Sequence, residues 1–338
     1  MNSPCQEPIK VVRYSRSLQS VWDSFVAGCK NATFLFERGY IDYNPRFVDF
    51  SLLFYKGNEL VALLPACIDG DVLASHGGLT YGGFLVGRNV GAGQMLALFD
   101  ALRCFLSGNT GVKKIVYNPV PHIYATYPAE EDLYALYRCN AVLARRRVAS
   151  VVWQPRALPF STLRKRKVKR AQGCGYSIVE DSGYPAFWAV LAENLQKEHG
   201  AVPVHSLAEI ELLAGRFPEN IKLFRVVDAA GNTVAGTVLY ITERVARVQY
   251  IGSVQAGRET GAVDFLFDYL VHTRYAGKEY FDFGTSVEQG GHVLNCGLIF
   301  QKEGFGGRAV VYDSYEMDVA GEHCQSGKSK VERAKSKE

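Results

Sequence analysis

The sequence lacks any run approaching about twenty uninterrupted apolar residues, so no membrane-spanning helix is expected. Its most apolar helix-like stretch, 94–106, is cut by Asp100 and Arg103. No apolar leader region is visible near the first methionine, so no secretory signal is read there. The eight cysteines stand at positions 5, 29, 67, 104, 139, 174, 296 and 324. That spacing excludes CxxC pairs and zinc-ribbon ligation and is too sparse for a disulfide scaffold, so thiols in a reducing cytoplasm and no metal site are expected. Charge of one sign is missing too. With 38 basic against 34 acidic side chains the net charge is only +4, too small to mark a general nucleic-acid binder. Nucleophile elbow, HExxH, P-loop and dinucleotide fingerprint are all absent, which removes the commonest hydrolase, protease, nucleotide-hydrolysis and redox signatures.

What is present is globular. The chain has 338 residues, long enough for two domains, and hydrophobic residues make up 48% of it, which argues against wholesale disorder. Nineteen Tyr and nineteen Phe promise a large core and aromatic-lined clefts.

An internal repeat organises this material. Gly57-Asn58 falls opposite Gly231-Asn232 at an offset of 174, Tyr81 opposite Tyr250 at 169, and Arg88-x-x-Gly91 opposite Arg258-x-x-Gly261 at 170. Each copy reads as two strands joined at a Gly-Asn turn, a third strand, a glycine-bearing loop, an amphipathic helix and a further strand. The repeat implies two α+β domains in tandem, mixed sheets flanked by helices, over 1–155 and 156–320. A lysine-rich polar tail, 321–338, reads as disordered. Between the copies, Ser161 is placed to cap a helix over 162–172 stopped by Gly173. A second helix spans 185–199, and Ser206-x-x-Glu209 is a capping box for a third.

Several constellations carry chemistry. The strand-loop-helix step is a natural anion site, because a helix N-terminus presents unpaired amides and a positive dipole end. Arg88-x-x-Gly91-x-Gly93 in the first copy resembles the pyrophosphate loop of GNAT acyltransferases; in the second, Arg258 and Gly261 keep part of it. The run Arg164-Lys165-Arg166-Lys167-Val168-Lys169-Arg170 puts six cations in seven residues. At helical spacing they encircle the helix, and phosphates of a ligand or carboxylates of the second domain would relieve the repulsion. Lys302 sits among aromatics and glycines, Asp282 at the end of a strand, and His199 at a helix C-terminus where an imidazolium is favoured. Tyr81 and Tyr250 hold matching places in the repeat and are candidates for positioning a substrate.

On these residues the chain resembles the Fem family of aminoacyl transferases and their GNAT-like relatives, over most of 20–318. The family's basic helix is similar to Arg164–Gly175. Its Y..G.S strand end is similar to Tyr250-Ile-Gly252-Ser253, and its yDf.G strand to Phe281-Asp-Phe-Gly284. Its FK..FG motif is similar to Lys302-Glu-Gly-Phe305-Gly306, with Gln301 in place of the aromatic. The resemblance implies two tandem GNAT-like domains, a lysine at 302 beside the reacting amine, and Phe305 bordering the substrate. It implies an acyl group, acetyl from acetyl-CoA or another acyl-CoA, passed to an amine of a cell-envelope or surface-polysaccharide precursor. Lys302, Asp282 and Tyr250 are the catalytic candidates. Tyr81, His199 and the cations Arg164, Lys165, Arg166, Lys169 and Arg170 would hold a phosphate-bearing or lipid-linked acceptor. Arg88, Gly91, Gly93, Arg258 and Gly261 would hold coenzyme. Transfer from aminoacyl-tRNA is the alternative, although the long coiled-coil arm of the tRNA-using members is missing; a degenerate binding module is the other.

Overall fold

The computed structural model describes residues 7–43 and 45–320, and it divides into two compact units. In the first, strand β1 (Ile9–Arg13) pairs antiparallel with β2 (Leu52–Lys56), and helix α1 (Gln19–Gly28) lies between them in sequence. Gly57 turns β2 into β3 (Glu59–Leu64) at a φ of +58°, a backbone state that favours glycine. The short strand β4 (Leu85–Val86) adds to β3, and helix α2 (Ala92–Asn109) comes next. Its buried residues Met95, Leu98, Phe99, Leu102 and Leu106 fall at helical period and close the core over Phe54, Leu64 and Phe84. Strand β5 (Lys114–Tyr117) and helix α3 (Glu131–Arg138) complete the series.

The long strand β6 (Val142–Trp153) leaves the first unit at Arg146, and the second begins at Arg147. Helix α4 (Thr162–Gln172) starts on the Ser161 hydroxyl, which accepts the Arg164 amide, and stops at Gly173. Strand β7 (Ser177–Asp181) is followed by α5 (Tyr184–His199) and α6 (Leu207–Arg216), the latter opened by the Ser206–Glu209 capping box. Then come β8 (Ile221–Val227), β9 (Thr233–Ile241) and β10 (Val245–Ser253), antiparallel throughout, with Gly231 at φ +84° in the first turn. Helices α7 (Gln255–Thr260) and α8 (Ala262–Tyr269) lead to strand β11 (Tyr280–Thr285), which pairs with the 149–153 half of β6. Helix α9 (Cys296–Gly304) and strand β12 (Arg308–Asp318) end the described chain.

Both units thus carry, in order, a strand, a helical segment, a hairpin, a strand, a helix and a further strand; the first also has short strands at Val48–Asp49, Cys67–Asp69 and Val72–Ala74, the last two between its hairpin and β4 and the last parallel to β5. The architecture is α+β. The units differ from the expected 1–155 and 156–320 at their edges. Residues 147–153 belong with the second unit because they pair with β11. Residues 312–320 belong with the first because Tyr315–Asp318 pair with β5. The tail beyond 320 lies outside the described residues. One expectation about sulfur fails: Cys29, Cys67, Cys104, Cys174 and Cys296 are free, but Cys139 is disulfide-bonded. Among the described residues no helix is long and apolar enough to cross a membrane, and no His, Cys, Asp or Glu group could hold a metal.

The first unit differs from the second beside β4 and β5, which lie in different sheets and are bridged by side chains. Asn31 donates its amide to the Phe84 carbonyl (2.8 Å) and accepts the Val86 amide (3.1 Å), so a side chain occupies the edge of β4. From β5, the Tyr117 hydroxyl accepts the Phe84 amide at 2.7 Å and donates to Asp132 at 2.9 Å. Burial pushes the Asp132 carboxyl up to about 7. A carboxyl raised in the folded state binds its proton longer than in the unfolded chain, so stability falls as pH climbs from about 4 through 7. Asp132→Asn keeps an acceptor for Tyr117 without the charge. Urea titrations should find the variant level with the parent at pH 4 and more stable at pH 8, by up to about 4 kcal/mol.

Candidate functional site

Strand β10 sets the site. It pairs in parallel with β11 at Val245–Arg247 against Tyr280–Asp282, and among the described residues no strand pairs with its next residues on that side. Its partner on the other side, β9, aligns Val238 with Tyr250 and Leu239 with Val248, leaving Gln249 as an extra residue, a bulge that re-aims the rest of β10. Past the parting lies a cleft of about 380 Å³ lined by Ile251, Ser253, Arg258, Phe283, Lys302 and Phe305 among others. Successive strand residues face opposite ways, so Ile251 looks into the cleft while Tyr250 looks away.

Lys302 reaches the cleft from α9, whose first turn is held by the Asn295 side chain accepting the Leu298 amide. The side chain is only 5% exposed, and its ammonium donates to the carbonyls of Gly284 (3.0 Å) and Thr285 (2.7 Å). Gly284, at φ +72°, bends the end of β11. Asp282 fixes that bend by accepting the Gly284 amide at 2.7 Å, and Arg247 lies 3.7 Å from its other oxygen. Burial lowers the Lys302 pKa to about 8, with Asp282 opposing and Arg247 assisting the drop. The result is a cation at neutral pH that loses its charge just above it.

The basic helix contributes by its inner stripe. Arg164, Val168 and Ala171 are buried, and the Arg164 guanidinium donates to Asp264 of α8 at 2.8 Å while lying over the Phe305 ring. Burial raises the Asp264 carboxyl against the pull of Arg164 and Lys167. Lys167, half-buried one turn along, also lines the cleft. Gly261 makes the approach of α4 possible: a Cβ there would sit 2.8 Å from the Lys167 carbonyl oxygen and Cβ, and its φ is +87°.

This placement corrects several sequence expectations. The cations do not encircle α4 evenly: Arg164 turns inward to a carboxylate, while Lys165, Arg166, Lys169 and Arg170 are exposed. Gly261 serves helix packing, and Arg258 lies within α7, donating to the Ser253 carbonyl at 2.9 Å. Tyr250 is locked on the far face by Trp188, its hydroxyl accepting the His205 amide and bonded to the His205 ring. Asp282 is fully buried behind Lys302, a positioning group that does not reach the cleft. Tyr81 is not on a third strand and has no counterpart in Tyr250; it packs in the first unit against Phe36 and Tyr124, with its hydroxyl 3.3 Å from Thr33. Arg88, Gly91 and Gly93 are exposed where α2 begins. His199 ends α5, its side chain outside the described residues. The cleft therefore joins Lys302, Phe305, Arg164 and Arg258 and leaves the other candidates elsewhere. Sequence reading passed over Lys167, Asp264, Asn194 and Ser253. Lys167 had a signal, since it stands at i+3 from the one arginine of the run that packs inward.

No family model matches the sequence, and no curated protein matches it. In three dimensions it is similar to FemX, at 12% identity and a TM-score of 0.63 over 90% of this chain and 96% of that one. It is similar to L-PGS from Bacillus licheniformis, at 11% and 0.58 over 93% of each. It is also similar to a tandem GNAT protein from the clavulanic acid biosynthesis pathway, at 12% and 0.51 over 93% of this chain and 99% of that one. Shared length nearly end to end, with so little shared sequence, is a likeness of fold: the chain has the tandem GNAT fold of the Fem-like proteins.

Proposed function

We propose that the second unit houses an N-acyltransferase site, with acyl-CoA, acetyl-CoA in the simplest case, as donor and an amine of a cell-envelope or surface-polysaccharide precursor as acceptor. The observation that carries this reading is the meeting of an unpaired strand edge and a buried lysine in one cleft. The fold belongs to a class that includes acyl and aminoacyl transferases.

The residues fit such a donor. The open edge of β10 offers backbone groups to an amide-bearing chain, and Lys167 and Arg258 bring positive charge for a diphosphate. The first unit lacks this opening, because Asn31 and Tyr117 fill the matching edge. A bound thioester supplies the activated carbonyl; the chain supplies its setting. Phe267, Phe283 and Phe305 make the wall apolar, so a charge placed there acts at low dielectric. Lys302, already anchored on two carbonyls, stabilises negative charge developing on the carbonyl oxygen without reorganising. Asp264 is tied to Arg164 and Asp282 is sealed, so neither carboxylate takes the acceptor's proton; the amine arrives neutral or loses that proton to solvent.

Lys302→Ala should lower kcat with purified acyl-CoA and an amine acceptor by roughly 10²–10³. Unchanged turnover would remove Lys302 from the chemistry. Because the lysine loses its charge near pH 8, the parent's rate should decline above that pH, and Lys302→Arg, which stays charged, should lack the decline. Calorimetry with desulfo-CoA tests the donor separately. Heat is expected from the parent and from Lys302→Ala, and a weakening of about a hundredfold or more from Lys167→Ala combined with Arg258→Ala, by roughly 1.5–3 kcal/mol per lost charged contact. No heat from the parent would leave a degenerate binding module. Turnover that requires charged tRNA and disappears with RNase would favour aminoacyl transfer.

A further inference from the structure

Residues 133–179 contain eleven arginines and lysines and no acidic residue, whereas the rest of the chain carries 27 basic against 34 acidic side chains. Part of this excess is consumed inside the protein by the Arg164–Asp264 pair. On α4, Lys165, Arg166, Lys169 and Arg170 are exposed and form no ion pair among the described residues. With the buried stripe of Arg164, Val168 and Ala171 fixing which side is inward, those four cations fall within an outward arc of about 140°. Leu163, 44% exposed, stands on the edge of the same arc.

The segment leading into the helix adds apolar surface. Trp153 is 46% exposed, with the Arg156 guanidinium 6.0 Å above its ring, and Leu158 is 42% exposed. A tryptophan, two leucines and five cations, on one short stretch of the second unit, form the combination that bilayer interfaces favour. Tryptophan settles at headgroup depth, aliphatic side chains enter the acyl boundary, and lysine and arginine meet anionic phosphates. An RNA backbone would account for the cations and could stack on the tryptophan, but it gives exposed leucines nothing.

We propose that residues 153–170 are a membrane-surface face, with Trp153, Leu158 and Leu163 entering an anionic bilayer and Arg156, Lys165, Arg166, Lys169 and Arg170 engaging its phosphates. This association is peripheral. It holds or fails whether or not the cleft transfers an acyl group.

The test uses the full chain and sedimentation with vesicles of phosphatidylcholine alone or mixed equally with phosphatidylglycerol. The protein should pellet with the mixed vesicles at low salt, stay soluble with phosphatidylcholine, and be released by salt. Each of Arg166→Gln, Lys169→Gln and Arg170→Gln should weaken binding roughly fivefold. Trp22 and Trp188 are buried, so a blue shift of emission on vesicle addition reports Trp153, and Trp153→Ala should abolish the shift. Thermal unfolding should be unaltered by the three charge substitutions on α4, since those side chains are exposed. A protein that stays in the supernatant with anionic vesicles at low salt overturns the proposal. So does one that binds bulk tRNA while Trp153→Ala and Leu158→Ser pellet with vesicles as the parent does, which would assign the face to RNA.

Discussion

The second unit depends on two strands that begin as neighbours and then separate. Three paired residues hold β10 to β11, and beyond them the facing backbone edges of the two strands part. A buried ammonium cannot be left bare in such a place, because an unpaired charge at low dielectric is far more costly than a paired one. Lys302 is tolerated because the left-handed bend at Gly284 turns two carbonyls towards it and because Asp282 lies beneath. Burial, not this anchoring, depresses the lysine's pKa, and Asp282 opposes the drop while Arg247 adds to it.

The first unit shows what becomes of the same plan without the opening. Its hairpin, β4, long helix and β5 follow one another as in the second unit, with the short strands Cys67–Asp69 and Val72–Ala74 interposed before β4, and the gap beside β4 is closed by an asparagine that imitates a strand and by a tyrosine reaching across from β5. The closure brings a carboxyl, Asp132, into full burial with Tyr117 as its hydrogen-bond donor. At this place one copy holds a cleft and the other is filled by side chains, and β4 and β5 of the first unit lie in different sheets.

Much of this was legible in the sequence. Local signals were accurate where the chain's own chemistry decides: the Ser161 cap, the Gly173 stop and the Ser206–Glu209 box all form as spacing alone indicated. The tandem α+β plan could be read because Gly57 and Gly231 each turn a hairpin at positive φ, although the accompanying match of Tyr81 with Tyr250 does not hold in the fold. What could not be read was direction across the fold. Tyr250 and Ile251 are adjacent, but strand alternation sends them to opposite faces, and only the packing of Trp188 over Tyr250 says which face is roofed. The basic run was ambiguous for the same reason, since its inward residue is chosen by Asp264, one hundred positions away. The edges of the units were equally hidden, because β6 and β12 each look like one strand in sequence while their halves serve different partners.

Residues 147–311 are continuous in sequence, whereas the other unit draws its described residues from two segments, one ending at Arg146 and one starting at Tyr312. Genetic excision is therefore asymmetric. The insert could be expressed by trimming both ends of the gene, but the surrounding unit survives as a single polypeptide only if Arg146 and Tyr312 are rejoined. A protease that severs the chain once inside 147–311 leaves the host unit's two segments on separate stretches of polypeptide, no longer joined through the backbone.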